Sequence, residues 1–191
     1  MQKSSRRSFL QNFLITSPAG VLAPPAGAMM MARPPDWAAV VTYHHGSLAQ
    51  ILDELILADE WSTGSALALS QKLRYQVTAH LVGEETVLYP AAVQHGLADA
   101  SDSNHPFLEH AKQKLGTALL EFEITAKNET GARRTAQLLR DEIVGHSKEE
   151  DTGVYLRLRK ELDGTGNAVL GTEYRRAFSS VRPAKVKWLP G

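Results

Sequence analysis

Residues 80–90, HLVGEETVLYP, place a histidine and a glutamate four positions apart, within a stretch whose apolar residues otherwise follow helical spacing. Four positions turn an α-helix by 400°, so the side chains of His80 and Glu84 lie on one face, with Cβ atoms about 5–6 Å apart. This face continues the apolar stripe of the helix, and we therefore expect it to be buried. Burial of an unpaired charged group is costly, so both side chains need partners.

A second copy of this stretch follows later in the chain. Residues 146–155, HSKEEDTGVY, repeat a histidine, a glutamate four positions later, another acid, a threonine, and a tyrosine nine positions after the histidine. His45 precedes His80 by 35 positions, and His110 precedes His146 by 36. Two helical hairpins would therefore bring six side chains to one level of the core. They are His45, His80, Glu84, His110, His146 and Glu150.

Apolar periodicity predicts four helices of roughly 20 to 30 residues. The first begins at residues 34–36 and ends near residues 61–64, the second covers about residues 69–96, the third begins near Pro106, and the fourth runs from about Gly131 to residue 162. Short connections favour antiparallel neighbours. We therefore predict an all-α fold, an up-down-up-down antiparallel four-helix bundle over residues 34–162. Residues 163–191 show no sustained helical stripe, and we interpret them as a basic C-terminal tail that forms a short strand, a packed arm or a disordered segment.

Charge is distributed unevenly along the 191 residues, although the formal net charge is zero. Residues 1–33 carry four bases and no acids, and residues 163–191 carry five bases and two acids. The remaining residues 34–162 hold 12 basic and 19 acidic side chains, a net charge of −7. This acidic body argues against nucleic-acid binding. The absence of cysteine excludes disulfides, thiolate ligands and a lipid-anchored cysteine.

Residues 1–28 have the pattern of an export signal, with basic residues, a broken apolar run and then small residues. The run is too short and too interrupted to span a membrane. Residues 5–10, SRRSFL, resemble the twin-arginine translocation motif, with Gln11 where a lysine is common. The resemblance implies export of a folded protein to the periplasm by the twin-arginine machinery. The alternative is a basic amphipathic N-terminal helix.

The six side chains offer nitrogen and oxygen donors without sulfur, a set that suits iron, manganese or zinc. Two carboxylates that can bridge, surrounded by imidazoles, favour a pair of ions. A bound cation would offset the cost of burying these groups.

Together with HHGSLAQILDEL at residues 44–55 and the Glu109-His110 pair, these motifs resemble the hemerythrin-like, or HHE cation-binding, domains over about residues 36–160. The resemblance implies a four-helix bundle with a non-haem di-iron centre that binds O2 or a related small oxidant such as peroxide or nitric oxide. It also implies a ligand set in which Glu84 and Glu150 bridge the irons: His45 from the first helix, His80 and Glu84 from the second, His110 from the third, and His146 and Glu150 from the fourth.

Two features depart from the oxygen-carrying hemerythrins. Those proteins have a His-x-x-x-His pair on the third helix, whereas Pro106 stands four positions before His110 here. They also space the final acid five positions after its histidine, where the spacing here is four. One iron would then need His105, Glu109 or water as a substitute ligand. An open coordination position of this kind is what metal-based catalysis requires.

Several other residues keep two interpretations. Glu85 and Asp151 either orient imidazoles or are solvated, and His44 lies either at the surface or beside a ligand. The repeated tyrosines, Tyr89 and Tyr155, fit aromatic core packing or a redox role. His95, near the end of the second helix, is predicted to be solvated.

Three alternative functions stay open beside oxidant binding. The same centre would suit an oxidase or an enzyme that consumes peroxide or nitric oxide, or a protein that buffers iron or another metal. The last alternative is a metal-free helical interaction module. The sequence contains no His-Glu-x-x-His motif, phosphate-binding glycine loop or nucleophile elbow, so zinc-protease, nucleotide-binding and serine-hydrolase functions have no support.

Overall fold

A computed structural model describes residues 36–98 and 104–182. Within these ranges the chain is helical and contains no strand, which confirms the predicted all-α class. The predicted export segment of residues 1–28, the side chain of His105 and residues 183–191 lie outside the described residues. The helices are α1 (Trp37–Leu57), α2 (Thr63–Gly83), α3 (Tyr89–Gln94), α4 (Asn104–Thr125), α5 (Glu129–Thr152), α6 (Val154–Glu161) and α7 (Gly164–Ser180), and a π-helical turn (Glu84–Leu88) joins α2 to α3.

Side-chain caps mark where α1 and α2 begin. The Asp36 carboxylate accepts a hydrogen bond from the amide of Ala38 at the start of α1, as predicted for this position. Helix α1 ends at Leu57, earlier than the predicted residues 61–64. The Ser62 hydroxyl accepts from the Ser65 amide and begins α2, so the predicted end of the first helix is the start of the next.

The four long helices surround a common apolar core. Helix α1 packs against α2 and α5, and α4 packs against the same two helices. This arrangement is compatible with the predicted four-helix bundle. Within the described ranges, no helix is both long and apolar enough to cross a membrane. The buried residues of the core include Leu48, Leu52, Leu73, Val77, Leu120, Ile124, Leu139 and Ile143.

The π-helical turn interrupts what the sequence predicts as one helix. Pro90 has no amide hydrogen to donate to the carbonyl four residues earlier, so the regular α-helical bond is lost there. The amide of Tyr89 instead reaches back five residues to the carbonyl of Glu84. Such turns absorb one extra residue and are frequent at functional sites. Glu84 is the first residue of this turn, and Tyr89 directly follows it.

Helix α7 contradicts the prediction that residues after 163 lack helical structure. The Asp163 carboxylate caps it by accepting from the Gly166 amide, and the helix packs against α1, α2 and the π-helical turn. Gly83 allows close approach, because a Cβ atom there would lie 2.5 Å from the ring of Tyr174. Tyr174 is fully buried in a second apolar cluster, which also includes Trp37, Val41, Leu88, Tyr89 and Tyr155.

Candidate metal centre

All six predicted ligand residues lie together inside the helical core. His45 comes from α1, His80 from α2, Glu84 from the π-helical turn, His110 from α4, and His146 and Glu150 from α5. Each is buried, with at most 6% of its surface exposed. The 400° turn between His80 and Glu84 places both side chains on the inner face, as predicted.

The six side chains form two groups that could each hold a metal ion. One consists of His45, His80, Glu84 and Glu150, and the other of Glu84, His110, His146 and Glu150. Within each group the potential ligand atoms lie within 4.8 Å of one another. Glu84 and Glu150 belong to both groups, which is the arrangement that two carboxylates bridging a pair of ions require.

The four imidazoles direct Nε2 toward the two carboxylates. Nε2 of His45 lies 3.6 Å from Glu84 Oε1 and 3.4 Å from Glu150 Oε2. Nε2 of His80 lies 3.1 Å from Glu84 Oε1. Nε2 of His110 lies 3.4 Å from Glu84 Oε2.

The second group is equally tight around His146. Its Nε2 lies 3.2 Å from Glu150 Oε1 and also 3.2 Å from Nε2 of His110. Two ring nitrogens that face each other this closely suit a shared cation, because each can then direct its lone pair to the ion.

Three of the four imidazoles have a carboxylate beside the outer nitrogen, Nδ1. Nδ1 lies 3.3 Å from Asp151 Oδ2 in His45, and 3.0 Å from Glu85 Oε1 in His110. In His146 it lies 2.8 Å from Glu109 Oε2. A partner of this kind keeps the proton on Nδ1 and leaves the lone pair of Nε2 for a metal.

These contacts decide several of the open interpretations. Glu85 and Asp151 orient imidazoles rather than being merely solvated. Glu109 contacts the outer nitrogen of its histidine, so it is placed as an orienting group and not as the substitute ligand considered from the sequence. His95 is exposed, as predicted.

His80 differs from the other three because its outer nitrogen faces a hydroxyl group. Nδ1 of His80 lies 2.8 Å from Oη of Tyr174 in α7, and the same oxygen lies 2.9 Å from Nδ1 of His44. A hydroxyl both accepts and donates, so Tyr174 can accept from His80 and donate to His44. The His44 ring stacks on Phe178, with centroids 4.3 Å apart. His44 therefore lies beside a ligand, with Tyr174 between them.

Sequence reasoning missed Tyr174 because the tail shows no sustained apolar stripe. The available signal was the four-residue spacing of Tyr174 and Phe178, which places two aromatic rings on one face of a helix.

The carboxylates and imidazoles of the candidate centre stabilise each other's charged forms. Burial alone lowers the pKa of a histidine, but the neighbouring carboxylates of Asp151, Glu150 and Glu84 outweigh it and raise the pKa of His45 to about 11. Burial is likewise outweighed at His146, where Glu150 raises the pKa to about 9.

The pKa values of the other side chains shift in both directions. Burial would raise the pKa of Glu84, yet His80 and His45 hold it well below its usual range, and His146 and His45 lower that of Glu150 in the same way. Burial dominates at His110 and lowers its pKa. For His44, burial and the neighbouring histidines lower the pKa to about 4, so this ring is neutral at pH 7 and its Nδ1 can accept a hydrogen bond.

Two tyrosine hydroxyls complete the surroundings of Glu150. Tyr89 and Tyr155 both donate to Glu150 Oε1, the latter at 3.0 Å. Burial followed by the charge of Glu150 raises the pKa of both phenols far above pH 7, so they are neutral donors. The repeated tyrosines therefore contact a predicted ligand in addition to packing in the core.

Four buried atoms of the centre have no hydrogen-bond partner among the described residues. They are Nε2 of His45, both carboxylate oxygens of Glu84, and Oε2 of Glu150. A buried polar atom without a partner costs about 1–3 kcal/mol, and more when it is charged. All four atoms face the space between the imidazoles, where a cation would satisfy them. The nitrogen and oxygen donors, together with these four unpartnered atoms, thus fit metal ions.

No family model, curated protein or solved structure compared with this chain matches it. The likeness to hemerythrin-like domains therefore depends on the residue pattern and the geometry of the buried groups.

Proposed function

We propose that the chain is a hemerythrin-like non-haem di-iron protein that binds O2 or a related small oxidant such as peroxide or nitric oxide. In this proposal the four long helices form an up-down-up-down antiparallel bundle. Glu84 and Glu150 bridge the two irons, His45 and His80 bind the first, and His110 and His146 bind the second.

The observation that carries the proposal is the sharing of both carboxylates between two ligand groups. A single-ion site would need only one such group, and the second would be left as an unexplained set of buried polar atoms. Each group provides four protein side chains, fewer than the six donors of octahedral coordination. The remaining positions are available to an exogenous ligand.

The residues around the ligands hold them in position. Asp151, Glu85 and Glu109 fix the orientation of three imidazoles, and Tyr174 fixes the fourth. When bound, a pair of irons supplies reversible one-electron chemistry and open positions for small oxidants. Manganese or zinc would use the same donors.

Enzymatic turnover is the second candidate function, and the neutral phenols of Tyr89 and Tyr155 favour it. Both hydroxyls lie at Glu150 inside the core, where as neutral phenols they can donate hydrogen bonds to a small oxidant. Such hydrogen bonds would hold the oxidant in an oxidase, or in an enzyme that consumes peroxide or nitric oxide.

The decisive experiment is metal analysis of protein expressed with ample iron, combined with absorption spectra under air and under reductant. We expect two irons per chain, one for each ligand group, and an absorption band that changes with oxygen. Repeated consumption of peroxide or nitric oxide with a reductant would favour the enzyme. Exchangeable metal without an oxygen-dependent spectrum would favour metal buffering.

A matched pair of variants controls this experiment. His80→Ala removes a buried ligand, whereas His95→Ala removes an exposed histidine of the same hairpin. Metal loss in the first variant alone supports the proposal. A metal-free wild-type protein would instead favour a helical interaction module.

We also propose that residues 1–28 direct export of the folded protein to the periplasm through the twin-arginine machinery. The support is the paired Arg6 and Arg7 ahead of an apolar run. Replacement of both by lysine should abolish export of a fused reporter, and unchanged export would contradict the proposal.

A further inference from the structure

Helix α4 has a second apolar face, opposite the one that carries His110 into the core. Leu108, Leu115, Leu119 and Phe122 are 58%, 70%, 46% and 67% exposed. Ala111 and Ala118 are exposed as well. At 100° per residue these six side chains fall within an arc of about 100°. The metal centre gives no reason for this stripe, since the ligand lies on the other side of the helix.

The spacing of the stripe is that of a helix-pairing surface. Leu108, Leu115 and Phe122 are seven residues apart, and Ala111 and Ala118 follow the first two by three residues. This is the heptad pattern of a coiled-coil seam, in which a second helix covers the stripe. Contiguous exposed apolar surface of this kind marks an interaction site in soluble proteins.

The charges beside the stripe indicate what covers it. Lys112 and Glu123 flank one side, and Lys114 and Glu121 flank the other, with the lysines toward the start of the helix and the glutamates toward its end. In an antiparallel pair of identical helices, each side of one stripe faces the same side of the other. One register then places each lysine opposite a glutamate of the second copy, because both pairs have the same midpoint, between residues 117 and 118.

We propose that the covering partner is a second copy of this chain, which forms a twofold dimer through antiparallel pairing of the two α4 stripes. In this register Phe122 lies between Ala111 and Leu115 of the second copy. The small alanine leaves room for the large ring. Four charge pairs border the apolar contact.

The charge pairs contribute unequally. Lys114 already contacts Glu85 at 2.9 Å, and Glu121 contacts Arg74 at 3.1 Å, so these two are partly engaged within the chain. Lys112 is exposed, and in the proposed register it pairs with Glu123 of the second copy, whose carboxylate accepts a hydrogen bond from the neutral Asn128 side chain rather than from a charged one. This pair is therefore the one to alter in a test.

Light scattering after size exclusion measures the oligomeric state directly. We expect the mass of two chains for the wild type and of one chain for Leu115→Glu, because the substitution buries a charge at the centre of the contact. Leu57→Glu is the matched control, since Leu57 is 73% exposed but lies at the end of α1. A wild-type monomer, or a dimer that survives Leu115→Glu, would overturn the proposal.

Charge exchange tests the antiparallel register. Lys112→Glu alone and Glu123→Lys alone should each weaken the dimer several-fold, and the double variant should restore it. Failure of the double variant to restore association would overturn the assigned register.

The absence of cysteine also allows a clean cross-linking test. In the proposed register the two copies of residue 118 are offset by about 1.5 Å along the helix axis, and those of residue 111 by about 20 Å. A disulfide requires Cα atoms within about 7 Å. Ala118→Cys should therefore cross-link on oxidation and Ala111→Cys should not. Cross-linking of both would indicate parallel pairing and contradict the proposal.

Discussion

The candidate metal centre has two halves, which share Glu84 and Glu150 but hold their histidines differently. In the second half, His110 and His146 both have a carboxylate beside the outer nitrogen, supplied by Glu85 and Glu109. In the first half, His45 has Asp151 but His80 has the hydroxyl of Tyr174. The internal repeat therefore includes the candidate ligands, but it does not include all the groups that contact their outer nitrogens. His80 faces a tyrosine where His146 faces a glutamate.

The difference arises at a single position of the repeat. Glu109 directly precedes His110, and the residue in the equivalent place before His45 is His44. A neutral imidazole is a weaker partner for the His80 ring than a carboxylate. Tyr174 lies between the two rings, accepting from one and donating to the other. The first half thus depends on α7, a helix outside the repeat, whereas the second half is held by the repeat itself.

The largest effect should follow removal of a carboxylate that both halves share. Glu84→Ala and Glu150→Ala should each lower the content of both ions tenfold or more, because each removes a ligand from both groups. The melting temperature of the metal-loaded protein should fall as well, since binding is coupled to folding. Metal analysis and thermal unfolding check this. Glu54→Ala, at an exposed acid of α1, serves as control, and loss of only one ion would show that the halves do not share their carboxylates.

Removal of one histidine should separate the halves. His80→Ala should leave the ion held by His110 and His146, and His146→Ala should leave the ion held by His45 and His80. Each variant is expected to retain about half of the wild-type metal. Titration with iron under anaerobic conditions measures the stoichiometry. Retention of both ions in either variant would contradict the assignment of that histidine.

Substitution of the residues that orient the imidazoles should have a smaller effect on metal affinity, and one that is specific to each ion. Tyr174→Phe should weaken the first ion, and Glu109→Gln the second, by about 10–100-fold in affinity. The hydroxyl of a buried tyrosine also stabilises the metal-free fold, so Tyr174→Phe should lower its free energy of unfolding by about 1–3 kcal/mol. Competition with a chelator measures both affinities.

Tyr43→Phe is the control for the tyrosine variant, because Tyr43 is 73% exposed. Equal weakening of both ions by Tyr174→Phe would remove the proposed difference between the halves.

The smallest predicted signal is the release of protons on metal binding. The two halves of the centre should contribute equally to it. Without an ion, the pKa values of His45 and His146, about 11 and about 9, keep both rings protonated at pH 7. Metal binding needs their neutral form, so loading at pH 7 should release about two protons, one from each half, and affinity should rise with pH. Calorimetric titration in buffers of different ionisation enthalpy counts these protons. Proton uptake on binding would contradict the pKa directions.

The convergence of the six candidate ligands was predictable because it follows from helical geometry. The repeat of His80 and Glu84 in His146 and Glu150, with one histidine upstream of each, is sufficient to bring six side chains together. Glu85 and Asp151 were identified as possible orienting groups because each directly follows a glutamate of the repeat. The all-α class followed from apolar periodicity in the same way.

Long-range contacts and local irregularity could not be predicted. Tyr174 lies 94 positions from His80, and no spacing rule links two residues that far apart. The glycines of α7 weaken its helical signal, although Gly171 lies where the helix approaches Trp37 closely, and a Cβ atom there would be 3.2 Å from the Trp37 side chain. Pro90 indicates a break in the helix, but nothing in the sequence indicates that this break takes the form of a π-helical turn.

The most direct test of the account is anomalous diffraction at the iron absorption edge from crystals of the iron-loaded protein. We predict two anomalous peaks per chain, both within bonding distance of the carboxylates of Glu84 and Glu150. One peak should be flanked by His45 and His80, and the other by His110 and His146. A single peak, no peak, or peaks away from the two shared carboxylates would contradict the proposed centre.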